Sequence, residues 1–417
     1  MPTRYACELY NSVDDIDADE WREVCRSSEN MYLDPRFLKA VELSFVAEAQ
    51  FWYAVYRDEA GRAVAATCFS RYRVDGALLA PPVVQKIVSI VRRIWPGFFQ
   101  FRLMMCGVPV TTCDCQLAIV DDADLEGILA GLDETAVSLA RQSGCRLLSF
   151  MQFSPELAAK LDGLSRYGFH KTRSAYAYHL EGNLDSFDAY LASRNSKARW
   201  NIRKSLKQFE ATGLTCEQFR GRDGAEQLFT PEVHQLYLNV LNRAKVRFER
   251  IPNEFFQEFA RQYPDESCYT VIRQGERIVA FCCGLADGDQ YALLWVGFDY
   301  SINAETELYF NVMYRCLEQG LAPGVRVVYF GASADQFKQR VGCRGTWLSI
   351  YVKAIYPPGQ LLLKWLSGLL FDTRDSLDAP PPVGTARETG VVAGRQRTVD
   401  QSRDSTGTGV QPVGNHS

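Results

Sequence analysis

The chain has 417 residues, 47% of them hydrophobic and 12% aromatic, which is more than one ordinary core absorbs and points to two packed domains. A formal charge of −4 and a pI near 5.8 exclude a general nucleic-acid binder, a class that is usually basic, but leave room for a local basic patch.

The opening stretch, MPTRYACELYNSVDDIDADEW, has no basic start ahead of an apolar run, so no secretory signal is expected. No uncharged run reaches the roughly 18–20 residues of a membrane span, and a cytoplasmic protein is expected. A first hairpin is predicted at YAVYRDEAGRAVAATC, from Tyr53, where β-rich runs flank a Gly-containing turn. Between 74 and 115 follows a segment with no evident counterpart later in the chain. It contains VVQKIVSIVRRIW (83–95), apolar with Lys86, Arg92 and Arg93. Such a helix either packs half-buried, closed by Pro96, or lies on a membrane surface or against a lipid-linked substrate.

The 13 cysteines are scattered, and Cys145, Cys268, Cys282 and Cys283 sit in apolar runs, as reduced, buried thiols do. Cys113 and Cys115 flank one Asp. That gap is not the spacing of a zinc knuckle and no His lies near it, so no metal is expected. GCRLLSF (144–150) reads as a short buried strand after an amphipathic helix, with another helix near 154–163.

SRNSKARWNIRKSLKQF (193–209) carries Arg194, Lys197, Arg199, Arg203, Lys204 and Lys207, with no carboxylate between Asp188 and Glu210. A helix over 195–209 puts Ile202, Leu206 and Phe209 on one buried side and spreads the cations, with Trp200, over the rest. A merely solvated helix usually mixes signs to gain i,i+4 pairs. A one-sign arc predicts an anionic ligand, such as phosphates or a polyanionic cofactor. Trp200 could stack on a base or fill a domain seam.

YTVIRQGERIVAFCC, from Tyr269, repeats the first hairpin: Tyr53, Val55 and Cys68 face Tyr269, Val271 and Cys283. GVRVVYF (324–330) repeats GCRLLSF. Its preceding helix carries Tyr309, Val312, Met313, Cys316 and Leu317 at helical spacing and stops at Gly320, and a helix near 333–341 follows. Each half thus reads as hairpin, helix, strand, helix, strand, an α/β unit made twice over 1–180 and 181–358. Tyr53 should overlay Tyr269, and Phe150 should overlay Phe330. GQLLLKWLSGLLF (359–371) is a short apolar helix that raises the membrane question again. From 372 to 417 there is no aromatic residue and one Leu, so disorder is expected.

The basic helix, followed by hairpin, helix and YFGASADQFKQRVG, resembles the GNAT N-acyltransferase superfamily, specifically its Fem-like branch (FemAB-type aminoacyltransferases and acetyltransferases). Lys197, Arg199, Ile202, Arg203 and Lys204 match the branch's basic helix, and Phe337, Lys338, Val341 and Gly342 match its closing motif. The similarity is strongest over 185–352. It implies two tandem GNAT-like domains, each a mixed, mostly antiparallel sheet flanked by helices, and transfer of an activated acyl or aminoacyl group to an amine.

The resemblance makes Lys338 a source of positive charge at the reacting carbonyl or a substrate phosphate. The amine must also lose a proton. Asp299, Glu305 and Glu307 are the candidate acceptors, with His234 as an outsider. Glu307, at the apparent helix start beside Tyr309, ranks first, although stabilisation of that helix start explains Glu305 and Glu307 equally well. The stretch DYSINAETELYF lacks the glycines with which GNAT enzymes hold coenzyme A pyrophosphate. The donor therefore stays open between acyl-CoA and aminoacyl-tRNA. The acceptor would be a small-molecule or lipid-linked amine of an envelope or exopolysaccharide precursor. Peripheral membrane contact through 83–95 and 359–371 would place the protein at the inner face of the membrane, with no DNA partner. The competing reading is a catalytically degenerate scaffold that binds an anionic ligand or a partner.

Overall fold

The structure is a computed structural model that describes residues 5–28, 30–79, 82–110, 116–182, 184–244, 250–331, 335–361 and 363. The expected disordered tail, the Cys113 and Cys115 pair and most of the apolar run after 361 lie outside these residues.

Among the described residues, thirteen strands form one sheet. In the first half, β1 (Ala6–Tyr10), β2 (Ala49–Arg57), β3 (Ala63–Asp75) and β4 (Gln100–Cys106) lie antiparallel in that order. β5 (Leu117–Ile119) pairs with the start of β3, β6 (Leu147–Phe153) runs parallel to β4, and β7 (His170–Glu181) ends this half. The second half repeats the pattern. β8 (Thr215–Arg220), β9 (Ser267–Gln274), β10 (Arg277–Asp287) and β11 (Gln290–Phe298) are antiparallel, β12 (Val327–Phe330) is parallel to β11, and β13 (Arg344–Ala354) comes last. The final strand of each half is exchanged: β7 pairs with β12, β13 pairs with β6, and β7 and β13 meet at the centre. The strand order therefore reads the same from both edges.

The register is duplicated too. Tyr53 pairs with Cys68 across β2 and β3, as Tyr269 pairs with Cys283 across β9 and β10. Phe150 stands between Cys106 and Tyr351, and Phe330 between Leu293 and Tyr178. Because a one-residue slip would turn every side chain to the other face, this agreement fixes the equivalence of the halves.

The segment 74–115 is not an insertion throughout. β4 is the counterpart of β11, so the excess lies between β3 and β4, where the second half has only a turn through Gly288 (φ +57). This excess holds a helix at Pro82–Val91. Arg92, Arg93, Pro96 and Gly97 separate this helix from β4.

The halves share a core. On the helix Asn253–Gln262, the rings of Phe255, Phe256 and Phe259 stand edge-on to Trp295 at 5.0, 5.7 and 5.1 Å. Phe37, from the first-half helix Pro35–Ser44, meets Phe255 at 6.1 Å. Edge-to-face pairs of this kind contribute about 0.5–1.5 kcal/mol each beyond area burial. The Phe37–Phe255 pair joins the first half to this second-half aromatic cluster.

Candidate functional site

The basic helix spans Ser196–Glu210 and starts at Asn195, whose side chain accepts from the Ala198 N–H. Ile202, Ser205 and Phe209 are buried and Leu206 half-buried, so the core stripe falls where the periodicity put it, with Ser205 added. Lys197, Arg203, Lys204 and Lys207 are exposed. None of these four, nor Arg199, makes an ion pair among the described residues. Arg199, Trp200, Arg203, Lys204 and Lys207, with Ser196 and Gln208 at the ends, line an open depression of about 710 Å³. Trp200 is 60% exposed and lies 5.1 Å from the Lys204 ammonium. Arg199 differs from its neighbours: its Nη1 donates to the carbonyls of Ala192 and Arg194 at 3.3 and 3.2 Å, tying down the loop before the helix.

The closing motif forms the short helix Asp335–Val341, which carries Lys338 and Arg340. It ends in a Schellman turn, in which Cys343 N–H donates to Lys338 O (2.8 Å), Gly342 N–H donates to Gln339 O (3.1 Å) and Gly342 has φ +82. Val341 O at this turn accepts from Arg194 Nη1 and from the Tyr190 hydroxyl, each at 3.0 Å. A Cβ on Gly342 would sit 1.8 Å from Arg194 Nη1. The glycine thus permits the left-handed turn and also the close approach of the guanidinium. Here the chain preceding the basic helix is pinned to the helix of Lys338, which the sequence spacing did not reveal.

Lys338 itself is only 3% exposed. Its ammonium donates to Gly331 O and lies 4.7 Å from the Tyr178 ring of the exchanged strand β7. Phe330 and Phe150 are equivalent, and each is followed five residues later by a helix, at Asp335 and Pro155. Counting on, the first-half counterpart of Lys338 is Ala158. The cation is present in the second copy alone.

Glu307 occupies a break between the helices Tyr300–Thr306 and Leu308–Gly320, with φ +48 and ψ +38. Left-handed backbone at a residue with a Cβ costs about 1–2 kcal/mol, and such strain collects at functional sites. Its Oε2 is buried and has no hydrogen-bond partner among the described residues. Asn311, fully buried one turn on, donates from Nδ2 to Glu307 O (3.1 Å) and to Ser205 Oγ of the basic helix (3.4 Å); its Oδ1 is also without a partner among the described residues. Gln208 Nε2 reaches Glu305 O at 3.4 Å. The depression and the break at Glu307 therefore border each other.

Tyr309 packs between Phe298 and Phe337, at 5.3 and 6.0 Å. Phe337 is the hinge of the site. It touches Tyr309, Phe310 and Tyr314 from the broken helix and precedes Lys338. Arg340 stacks on Phe310 at 3.8 Å and lies beside the Tyr314 hydroxyl. Burial raises the Tyr314 pKa, the guanidinium pulls it back, and the Glu307 carboxylate pushes it up again. Sequence reading missed Asn311, Tyr314 and Arg340. A polar Asn at an inward position of an apolar helix was the available signal.

The other carboxylate candidates stand apart from this cluster. Asp299 caps the helix Tyr300–Thr306, accepting from Ser301 N–H (2.9 Å) and Ser301 Oγ (2.6 Å), and pairs with Arg277. The Ser301 hydrogen bond leads in holding its carboxyl below the ordinary value. Glu305 is exposed. His234 holds Ile251 O at 2.9 Å and stacks on Tyr237, within the aromatic packing. No cluster of His, Cys, Asp and Glu among the described residues could hold a metal ion.

The profile of the FemAB-like family, described as peptidoglycan biosynthesis/recognition, matches residues 12–351. The chain belongs to the FemAB-like family. This FemAB-like chain is similar in structure to FemX, with a TM-score of 0.52 at 11% identity over 86% of the chain and 100% of FemX. It is also similar to a tandem GNAT protein from the clavulanic acid biosynthesis pathway, with a TM-score of 0.47 at 13% identity over 84% of the chain and 99% of that protein. The fold is that of FemX, one α/β unit made twice. A putative 8-amino-7-oxononanoate synthase 2 of Mycobacterium tuberculosis is 27% identical over 258 residues, covering 61% of this chain and 33% of the relative. The FemAB-like chain thus spans about a third of the length of the curated relatives it matches.

Proposed function

We propose that this FemAB-like protein moves an activated acyl or aminoacyl group onto the amine of a small-molecule, peptidoglycan or exopolysaccharide precursor. The observation that carries the reading is the border between the basic depression and Glu307, a buried carboxylate oxygen held on left-handed backbone. The amine nitrogen attacks the donor's carbonyl carbon. A C–N bond forms, the ester C–O or thioester C–S bond breaks, and Glu307 accepts the proton the amine releases. The donor departs as the tRNA hydroxyl or coenzyme A thiol once it has taken a proton from Glu307 or from water. Lys338 answers the negative charge that develops on the carbonyl oxygen. Tyr309 walls the site beside Glu307.

We read aminoacyl-tRNA ahead of acyl-CoA as donor. The start of the helix Tyr300–Thr306, where a GNAT turn would receive pyrophosphate, is filled by the Asp299 carboxylate. The exposed cations lie instead along the basic helix, spread as a polyanion requires. The proposal includes a cytoplasmic location at the inner face of the membrane, with contact through 83–95 and 359–371, and involves neither DNA nor metal.

The test is transfer of labelled acyl groups from aminoacyl-tRNA and from acyl-CoA to lipid-linked and soluble amine precursors, by the parent and by a variant with Arg203, Lys204 and Lys207 changed to Gln. A tRNA donor should bind with a steep salt dependence that the variant flattens, and acyl-CoA with a shallow one. Transfer from no donor, together with retained binding of an anionic ligand, would instead identify a degenerate scaffold.

A further inference from the structure

The excess segment between β3 and β4 carries an apolar surface with no described cover. Twelve large hydrophobic side chains are exposed among the described residues, and five of them, Ile87, Ile90, Ile94, Trp95 and Phe99, fall here. Ile87, Ile90 and Ile94 follow at i, i+3 and i+7, on one side of the helix Pro82–Val91 and the turn beyond it. Ile94 is 91% exposed and Trp95 64%. An ordinary half-buried helix would turn this stripe inward, yet Val88 is the one fully buried side chain among those described in the helix.

The protrusion is built rather than loose. Arg92 donates to both Asp75 oxygens at 2.7 and 2.6 Å and to Phe98 O at 2.8 Å. Phe99 sits at φ +64, a conformation that bulky side chains avoid, with its carbonyl bonded to Gly76 N–H at 3.0 Å. The rings of Trp95, Phe98 and Phe99 form a row, 5.7 and 6.2 Å apart.

Charge narrows the choice of partner. From Gly76 to Cys113 there is no Asp or Glu, whereas Lys86, Arg92, Arg93 and Arg102 are present. Lys86 and Arg93 are exposed, with no ion pair among the described residues. A second copy docked through this face by two-fold symmetry would set cations against cations. An anionic bilayer offers what the face lacks, negative headgroups above an apolar layer, and Trp favours that boundary. No helix of the described residues is long and apolar enough to cross a membrane, so the contact would be peripheral.

We propose that this protrusion seats the protein on an anionic lipid surface, with Ile87, Ile90, Ile94 and Trp95 entering the headgroup boundary and Lys86 and Arg93 meeting the headgroups. The proposal deepens the membrane contact proposed above for 83–95; because it is tested without turnover, it can fail while the transfer reaction stands, and the transfer reaction can fail while it stands. Parent protein is sedimented with vesicles of phosphatidylcholine and with 3:1 phosphatidylcholine and phosphatidylglycerol. Binding to the anionic vesicles should be at least about tenfold stronger. Changing Ile87, Ile90, Ile94 and Trp95 together to Gln should lower it about tenfold or more at unchanged circular dichroism, because all four are exposed. Lys86→Gln with Arg93→Gln should remove the preference for anionic vesicles. Parent protein that binds neither vesicle, a fourfold variant that binds like the parent, or a concentration-dependent dimer abolished by the fourfold change without any vesicle binding would each overturn the proposal.

Discussion

Gly342→Ala tests whether the two FemAB-like motifs act as one mechanical unit. Alanine at φ +82 carries the left-handed penalty of about 1–2 kcal/mol. Its Cβ would also stand 1.8 Å from Arg194 Nη1, so the guanidinium must leave and its 3.0 Å bond to Val341 O is lost. A hydrogen bond from a charged donor contributes about 1.5–3 kcal/mol. The lower end applies, because Val341 O keeps the Tyr190 hydroxyl as a donor. Gly342→Ala should therefore cost about 2.5–3.5 kcal/mol and Arg194→Ala about 1.5 kcal/mol. In the Arg194→Ala background, Gly342→Ala should cost only its backbone share, leaving a coupling of about 1.5 kcal/mol. Urea denaturation of the four proteins measures the cycle, and amide exchange over 335–343 locates the loosening. Strict additivity, or a Gly342→Ala protein as stable as the parent, would show that the two motifs are not joined through this turn.

Lys338→Met keeps the buried volume but removes the charge. It should lower turnover about a hundredfold or more with the fold intact by circular dichroism, while Lys338→Arg rescues only in part. Glu307→Gly should raise stability by up to about 1 kcal/mol in thermal unfolding, the strain relief outweighing the added chain entropy. The same change should depress turnover, whereas Glu307→Gln should depress turnover without the gain in stability. The Arg92 guanidinium beside Asp75 holds that carboxyl below its ordinary value, so this pair stabilises the protrusion fully above the unfolded carboxylate range, about pH 4. That stabilisation is lost as pH falls through the lowered folded value, and amide exchange over 76–99 should accelerate there first.

The repeated hairpins were legible in the sequence because Tyr53 with Cys68 and Tyr269 with Cys283 keep one register, and register is what a half-turn of side chains cannot blur. The buried stripe of the basic helix was legible for the same kind of reason, since Ile202 and Phe209 recur at helical spacing. What stayed hidden depends on tertiary approach. The exchange of β7 and β13 leaves no local trace, because a strand reads alike whichever neighbour it joins. The Arg194 contact at Gly342 spans almost 150 residues of chain, and the left-handed Glu307 is a residue that propensity would not place at a break. The structure divides the cations of one motif into different tasks, with Arg199 bonded to loop carbonyls and Arg203 facing solvent.

The exchanged strands bear on how the chain matures during synthesis. β6 ends at Phe153, but the strand that covers its open edge, β13, ends at Ala354. At roughly 5–20 residues per second, a ribosome needs about 10–40 s to make the intervening chain. Throughout that interval the first half exposes an unpaired strand edge beside Leu148 and Phe150, the kind of edge that recruits other chains. A nascent first half is therefore an unfinished product rather than a folded domain awaiting a neighbour. A stop codon after β7 should yield aggregates instead of a smaller soluble protein.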